Sequence, residues 1–275
     1  MEQKNISNLT KKLNKFTPIP YINEFLPQKN DFKFKSQNEF DKSVIYFTTC
    51  INRGFKPSIN SQNQKPIQEV VERILNKAKI NVIYPDDLDG LCCGKSFMDY
   101  DEIRAKNKEI LKENLLKVSK NGEIPIIADH SACSVYLIEK LKDIKELKIY
   151  DLCEYLLEIA PNLELNRLDE DILIHKMCTM KKVGKGEVIK DLAKICTNKN
   201  IFESGVECCG FAGNKGFFTP ELNISATKNM KFINPNLTKA YSTSSTCEIG
   251  LSKASNRQFL HIAYLIDINS KLLKA

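Results

Sequence analysis

Apolar residues run along this chain in short blocks, and the blocks switch period. "SVIYFTTC" (Ser43–Cys50) is a β-branched and aromatic run that ends in a cysteine, and "DILIHKMC" (Asp171–Cys178) has the same shape. Such runs read as strands. "INVIYPDD" and "IFESGVE" are further strand-like stretches. Between them, Glu102–Lys120 places Leu111, Leu115 and Val118 on one stripe, with Gly122 as a stop signal, which predicts a helix. "EIPIIADHSACSVYLIEKL" and "TKAYSTSSTCEIGLSKA" each pass from a strand-like run through a serine-bearing break to a cysteine and a helical pattern. Strands alternating with helices predict an α/β layered fold with mainly parallel sheets.

The cysteines turn this pattern into a repeat. Eight of the ten fall into two sets, Cys50-x41-Cys92-Cys93-x39-Cys133 and Cys178-x29-Cys208-Cys209-x37-Cys247. Each reads single, pair, single, and each pair precedes a glycine, Gly94 or Gly210. The recurrence predicts two tandem, duplicated halves, over 43–160 and 171–270. Pro161–Glu170 reads as the joint, and 1–42, with Pro18, Pro20 and Pro27, as an extended lead-in. Cys50, Cys133, Cys178 and Cys247 each fall at or just past a predicted strand end. Ligands collect at the carboxyl ends of strands in open α/β sheets. Each half is therefore expected to gather four thiols at one edge of its sheet.

The remaining two cysteines sit on apolar helical stripes. Cys153 lies with Leu156, Leu157 and Ala160, and Cys196 with Ile189, Leu192 and Ala193, which reads as core packing. The eight others match no stripe. Neighbouring side chains diverge, so a Cys-Cys pair is ill suited to one zinc ion, whereas the several irons of an iron–sulfur cluster can each take a different thiolate. Iron–sulfur is the favoured reading, and structural zinc is the competing one. Gly94 and Gly210 permit positive φ and remove bulk beside the thiols. With Gly213 and Gly216 of "GFAGNKG" they form loops able to aim N–H groups at sulfur. His130 and His175, three residues before Cys133 and Cys178, are expected to hydrogen-bond and not to ligate. "GKS" at Gly94–Ser96 is no phosphate loop, because Asp89 stands where that loop needs glycine.

Bulk properties narrow the class. The net charge of +7 is spread over lysines, without the basic clusters and interleaved aromatics of a nucleic-acid binder. No apolar stretch approaches the ~18 residues of a membrane span, and the N-terminus lacks the apolar core of a signal peptide. The expected place is the cytoplasm, free or peripheral on the inner membrane face. Ten cysteines in a reducing compartment point to metal or redox chemistry.

The doubled Cys…Cys-Cys-Gly…Cys pattern resembles the cysteine-rich CCG domain family, which includes the B subunit of heterodisulfide reductase and the iron–sulfur subunit of glycolate oxidase. "ECCGFAGNKGFFTPELNISAT" with "SSTCEIGLS" is most similar to the C-terminal iron–sulfur portion of FAD-linked D-lactate dehydrogenases. The resemblance implies that Cys50, Cys92, Cys93 and Cys133 form one motif, and Cys178, Cys208, Cys209 and Cys247 the other. It implies iron–sulfur clusters, 4Fe-4S and up to two, with FAD only on a partner domain or subunit. It also implies transfer of electrons from that flavin-containing oxidase toward quinone or cytochrome. The family's closing Cys-x2-Cys is altered here, to His130 in one half and Ser244 in the other. The competing functional readings are a heterodisulfide or thiol-disulfide reductase subunit and a zinc-stabilised structural subunit.

Overall fold

The computed structural model describes residues 3–232, 234 and 236–272. Helix α1 (Gln3–Leu13) and strand β1 (Gln28–Lys29) precede the first half. That half runs β2 (Lys42–Phe47), α2 (Cys50–Gly54), β3 (Phe55–Lys56), α3 (Ile67–Lys77), β4 (Ile80–Ile83) and α4 (Asp101–Val118). It continues through β5 (Ile126–Ala128), α5 (Ser131–Lys140), β6 (Ile149–Asp151) and α6 (Leu152–Ile159) to β7 (Leu163–Leu165). The second half repeats the scheme: β8 (Ile172–Ile174), α7 (Cys178–Lys182), α8 (Val188–Cys196), β9 (Ile201–Glu203), α9 (Lys215–Phe218) and α10 (Pro220–Ala226). Then come β10 (Ala240–Ser242), α11 (Ser245–Ser255), β11 (Phe259–His261), α12 (Ile262–Asn269) and β12 (Ser270–Leu272).

The two main sheets are parallel throughout, ordered β4-β2-β5-β6 and β9-β8-β10-β11. Counted from the first strand of each half, the order is the same, so the duplication seen in the cysteines holds for the topology. The strands are short apolar runs because both faces are covered, as parallel sheets require. Along β2, Val44 and Tyr46 enter a core shared by both halves, while Ile45 and Phe47 enter a second core with Leu111 and Leu115 of α4. In β8, Ile172 and Ile174 face the shared core, and Leu173 faces a third core with Met177, Cys209 and Phe259.

Helices α3, α6, α8 and α12 fill the space between the sheets and pack on one another. Cys153 and Cys196 lie there, fully buried. Buried Asp267 of α12 ties the halves together, accepting from Lys77 Nζ at 2.6 Å and Arg73 Nε at 3.1 Å.

The joint and the lead-in differ from the sequence expectation. Residues 163–165 of the joint form β7, which pairs antiparallel with β12 so that Ser270 faces Leu165 and Leu272 faces Leu163. The lead-in is not extended throughout. The prolines begin at Pro18, and the residues ahead of them, "QKNISNLTKKL", form α1.

Candidate metal centres

Each half presents its thiols from equivalent elements. Cys50 opens α2 and Cys178 opens α7, just past β2 and β8. Cys133 and Cys247 lie in the first turns of α5 and α11, which follow β5 and β10. The Cys-Cys pairs occupy turns outside the regular elements. All eight therefore lie beyond the carboxyl ends of parallel strands, where loops from separate crossovers converge.

The sulfurs form a row in each half. Cys50 Sγ is 4.0 Å from Cys92 Sγ. The Cys93 thiol is near enough to those of Cys92 and Cys133 to feel both, and it completes the row. In the second half the Cys208 thiol feels those of Cys209 and Cys178, and Cys209 Sγ donates to Cys247 Sγ at 3.0 Å. The rows run from exposed Cys50, and from half-buried Cys178 and exposed Cys208, to buried Cys93, Cys133, Cys209 and Cys247. Among the described residues, no three His, Cys, Asp or Glu side chains are arranged to hold a single metal ion. The thiols meet in pairs along a row.

The glycine after each pair has a structural task. Gly94 (φ +85°) and Gly210 (φ +68°) are left-handed, which turns their N–H groups back onto Cys92 Sγ at 3.4 Å and Cys208 Sγ at 3.3 Å. The next N–H groups, of Lys95 and Phe211, reach Cys93 and Cys209. A Cβ on Gly210 would stand 2.5 Å from the Leu222 carbonyl. Gly213 is also left-handed, with open space around it. Gly216 donates its N–H to Phe211 O at 2.7 Å, and its bare Cα admits the Phe211 ring.

Charge is distributed unevenly. In the first row Cys92 is pulled well below the usual thiol range, first by hydrogen bonds from Cys50 and Cys93, then by the Gly94 N–H and Arg53. Cys133 is lowered as well, by Cys93 and then by His130. Cys50 and Cys93 are raised, first by the same hydrogen bonds. Arg53 is held by the carbonyls of Thr48 and Leu91 at 3.0 and 2.6 Å, and the Lys140 ammonium adds charge near Cys92 and Cys93. Lys181 stands where Arg53 does, three residues after the first cysteine, but is paired with Glu207 at 2.5 Å. His175 bonds Ser204 at 2.8 Å, and burial lowers its pKa to about 4.

Several supporting residues had no signal in the periodicity. Buried Asp129 accepts from Tyr46 Oη (2.8 Å), Thr48 Oγ1 (2.6 Å), Thr49 N (2.9 Å) and Thr49 Oγ1 (2.8 Å), which fixes the turn before Cys50. An acid directly after an apolar strand, in "IIADH", was the available cue. The sites also touch across the halves. Ser131 N donates to Thr243 O at 3.0 Å. Helix α5 packs on α7, and its Ala132 and Val135 join the core around Met177 and Cys209.

A duplicated parallel α/β architecture with a row of four thiols past the strand ends of each half defines a cysteine-rich redox or metal-binding module. The family model "Cysteine-rich domain" (CCG) matches residues 44–138 and 172–252, and the chain belongs to that family. The family is associated with oxidoreductase subunits and with iron–sulfur, electron-transfer roles. Among solved structures, the chain is similar to glutamate racemase from Aquifex pyrophilus (12% identity, 82% of this chain and 81% of that one, TM-score 0.35). It is also similar to Picrophilus torridus aspartate racemase (10% identity, 85% and 96%, TM-score 0.37). No helix among the described residues is long and apolar enough to cross a membrane.

Proposed function

We propose that this chain is the iron–sulfur, electron-transfer part of a flavin-linked D-lactate or related D-2-hydroxy acid dehydrogenase. It would pass electrons from a flavin on another domain or subunit toward quinone or cytochrome. The observation that carries the reading is the pair of equivalent thiol rows, each supported by N–H groups aimed at its sulfurs. The donor set fits a multi-iron core: thiolates are its usual ligands, and hydrogen bonds to sulfur tune its potential.

Cys50, Cys92, Cys93 and Cys133 would hold one cluster, and Cys178, Cys208, Cys209 and Cys247 the other. When bound, such clusters supply one-electron transfer. The chain's own part is to orient eight sulfurs, to bury the inner ones and to set the local charge. Packing of α5, which carries Cys133, on α7, which carries Cys178, puts the two sites on touching elements. Mixing the anaerobically prepared protein with a flavoprotein that oxidises D-lactate tests the reading. D-lactate should then bleach the iron–sulfur absorbance only when both proteins are present. No bleaching by any flavin-bearing D-2-hydroxy acid oxidase would contradict it.

A further inference from the structure

A small cavity opens at the seam between the two halves. The lead-in and the β3 turn wall it on one side, and α11, β11 and α12 on the other. Its volume is about 40 Å³. That is the room of roughly three waters, or of the carbon, oxygen and nitrogen of one carboxamide. Most polar groups on its walls are already engaged. Ser245 Oγ donates to Asn52 Oδ1, Ser58 Oγ to Glu24 O at 3.3 Å, and Tyr264 Oη to Lys65 O at 2.7 Å. Lys56 Nζ is paired with Asp31 at 2.9 Å.

Three groups on the same walls are left over. Glu248 Oε1 and Gln258 Oε1 are buried and receive no hydrogen bond among the described residues. Gln258 Nε2 donates to Phe259 O at 2.9 Å, which fixes the amide and leaves its oxygen over. The third is buried His261. Its Nδ1 accepts the Ala263 N–H, and burial keeps the ring neutral, so the proton sits on Nε2. That N–H has no partner among the described residues. Two acceptors and one donor thus line a space that holds one small planar group. A buried polar group without a partner costs about 1–3 kcal/mol, so an occupant that satisfies all three is favoured.

We propose that this cavity binds a small molecule carrying a primary carboxamide on a flat ring. The two N–H groups of the carboxamide would donate to Glu248 Oε1 and Gln258 Oε1, and its carbonyl would accept from His261 Nε2. An ammonium would meet the His261 N–H, and a carboxylate would meet two acceptors. Glu248 serves in either protonation state, because a carboxyl keeps an acceptor oxygen when protonated. Phe25 and the partly exposed Phe55 line the cavity beside Pro27 and Pro57, which gives the ring flat apolar walls. An apolar hollow between two domains with a few placed polar groups is the usual form of a small-molecule site. The inference is independent of what the thiols hold. Its position bears on them, because Asn52 lies two residues after Cys50 and Glu248 directly after Cys247. A bound ligand would touch elements that carry both rows.

Calorimetric titration of the full, anaerobically purified chain with benzamide is the test. Binding is expected with a dissociation constant on the order of 1 mM. N,N-Dimethylbenzamide keeps the ring and lacks both N–H groups, and should bind at least about tenfold more weakly. Propionamide keeps the carboxamide and lacks the ring, and should also be weaker by about tenfold. Gln258→Met removes one acceptor and should weaken benzamide binding roughly threefold to tenfold. Phe55→Ala removes a wall and should weaken it by about threefold or more. Phe218→Ala, at an exposed site outside the cavity, should bind as the parent does. Melting curves show which variants fold, and if Gln258→Met does not, Phe55→Ala decides in its place. No binding of benzamide, with water alone filling the cavity, overturns the proposal. So does equal binding of the dimethyl compound, unchanged binding in a folded Gln258→Met or Phe55→Ala, or loss in Phe218→Ala. Propionamide binding as tightly as benzamide overturns it in favour of an asparagine or glutamine side chain of a partner protein.

Discussion

Ser244 Oγ and His130 Nε2 lie 2.9 Å apart, and the two residues are counterparts. Each stands at the N-terminal boundary of the helix that carries its half's last cysteine, three positions before Cys133 or Cys247. The duplicated halves therefore meet at the same point of each. Both groups are buried, so removing Ser244 takes this partner from His130 Nε2, whereas without His130 Ser244 Oγ keeps only Thr246 Oγ1 at 3.3 Å. Ser244→Ala is expected to cost about 1–3 kcal/mol in urea unfolding. The cycle with His130→Ala should show coupling above about 0.5 kcal/mol. Additive losses would show that the contact does not join the halves.

The Cys-Cys-Gly turns make a graded prediction. Gly210→Ala adds a Cβ 2.5 Å from the Leu222 carbonyl and 2.6 Å from the Ala226 methyl, in a left-handed turn. Gly94→Ala meets the ends of the Asn107 and Lys140 side chains, which can move. Gly213→Ala meets nothing and carries only the left-handed penalty of about 1–2 kcal/mol. Melting temperatures should fall in the order Gly210, then Gly94, then Gly213. An equal fall at all three would mean that backbone conformation alone decides.

His261 sets a pH dependence. It caps α12 by accepting the Ala263 N–H at 3.1 Å, and burial, with His130 nearby, lowers its pKa to about 3. Its unfolded value is about 6.5. Between those values the unfolded chain takes up the proton and the native chain does not. This contribution is complete above about pH 6.5 and is lost as pH falls toward 3. Glu248, raised to about 8 by burial, acts with the opposite sign, so its contribution is lost as pH rises. The clean test is a difference. Between pH 7.5 and 5, His261→Asn, which keeps a capping oxygen, should lose about 2 kcal/mol less stability than the parent.

Much of this was legible because the signals were local. The fold class followed from runs such as "SVIYF", which are continuous because both sheet faces are covered. The packing of Cys153 and Cys196 followed from their helical stripes. Meetings between distant segments were not legible. Nothing in the spacing shows that His130 touches Ser244, that β7 pairs with β12, or that Asp129 fixes the turn before Cys50. The reading of α1 as extended gave the prolines at positions 18 and 20 too much reach, since a proline restricts only its immediate neighbour. Four of the eight thiols are also more buried than a loop placement suggested: the turns of Cys93 and Cys209 are roofed by α4 and α10, and Cys133 and Cys247 lie inside the first turns of α5 and α11.

The unequal charge around the two rows predicts unequal centres. Lys140 and Arg53 add positive charge beside the first row, whereas Lys181 beside the second is matched by Glu207. Positive charge favours the reduced form. Lys140→Met should therefore lower the first centre's potential by roughly 30–60 mV, about 1 kcal/mol for a one-electron couple. The second centre should be unchanged. A potentiometric titration followed by electron paramagnetic resonance reads both, and equal shifts would contradict the assignment.

Iron and acid-labile sulfide, measured in anaerobically purified protein, test the central claim most directly, alongside Cys208→Ser, Cys93→Ser and Cys196→Ala. Iron and sulfide should be present in the parent. About half of each should be lost in Cys208→Ser and in Cys93→Ser, and neither in Cys196→Ala, whose thiol is buried in the core. Zinc without sulfide, or the same loss in Cys196→Ala, would contradict the account.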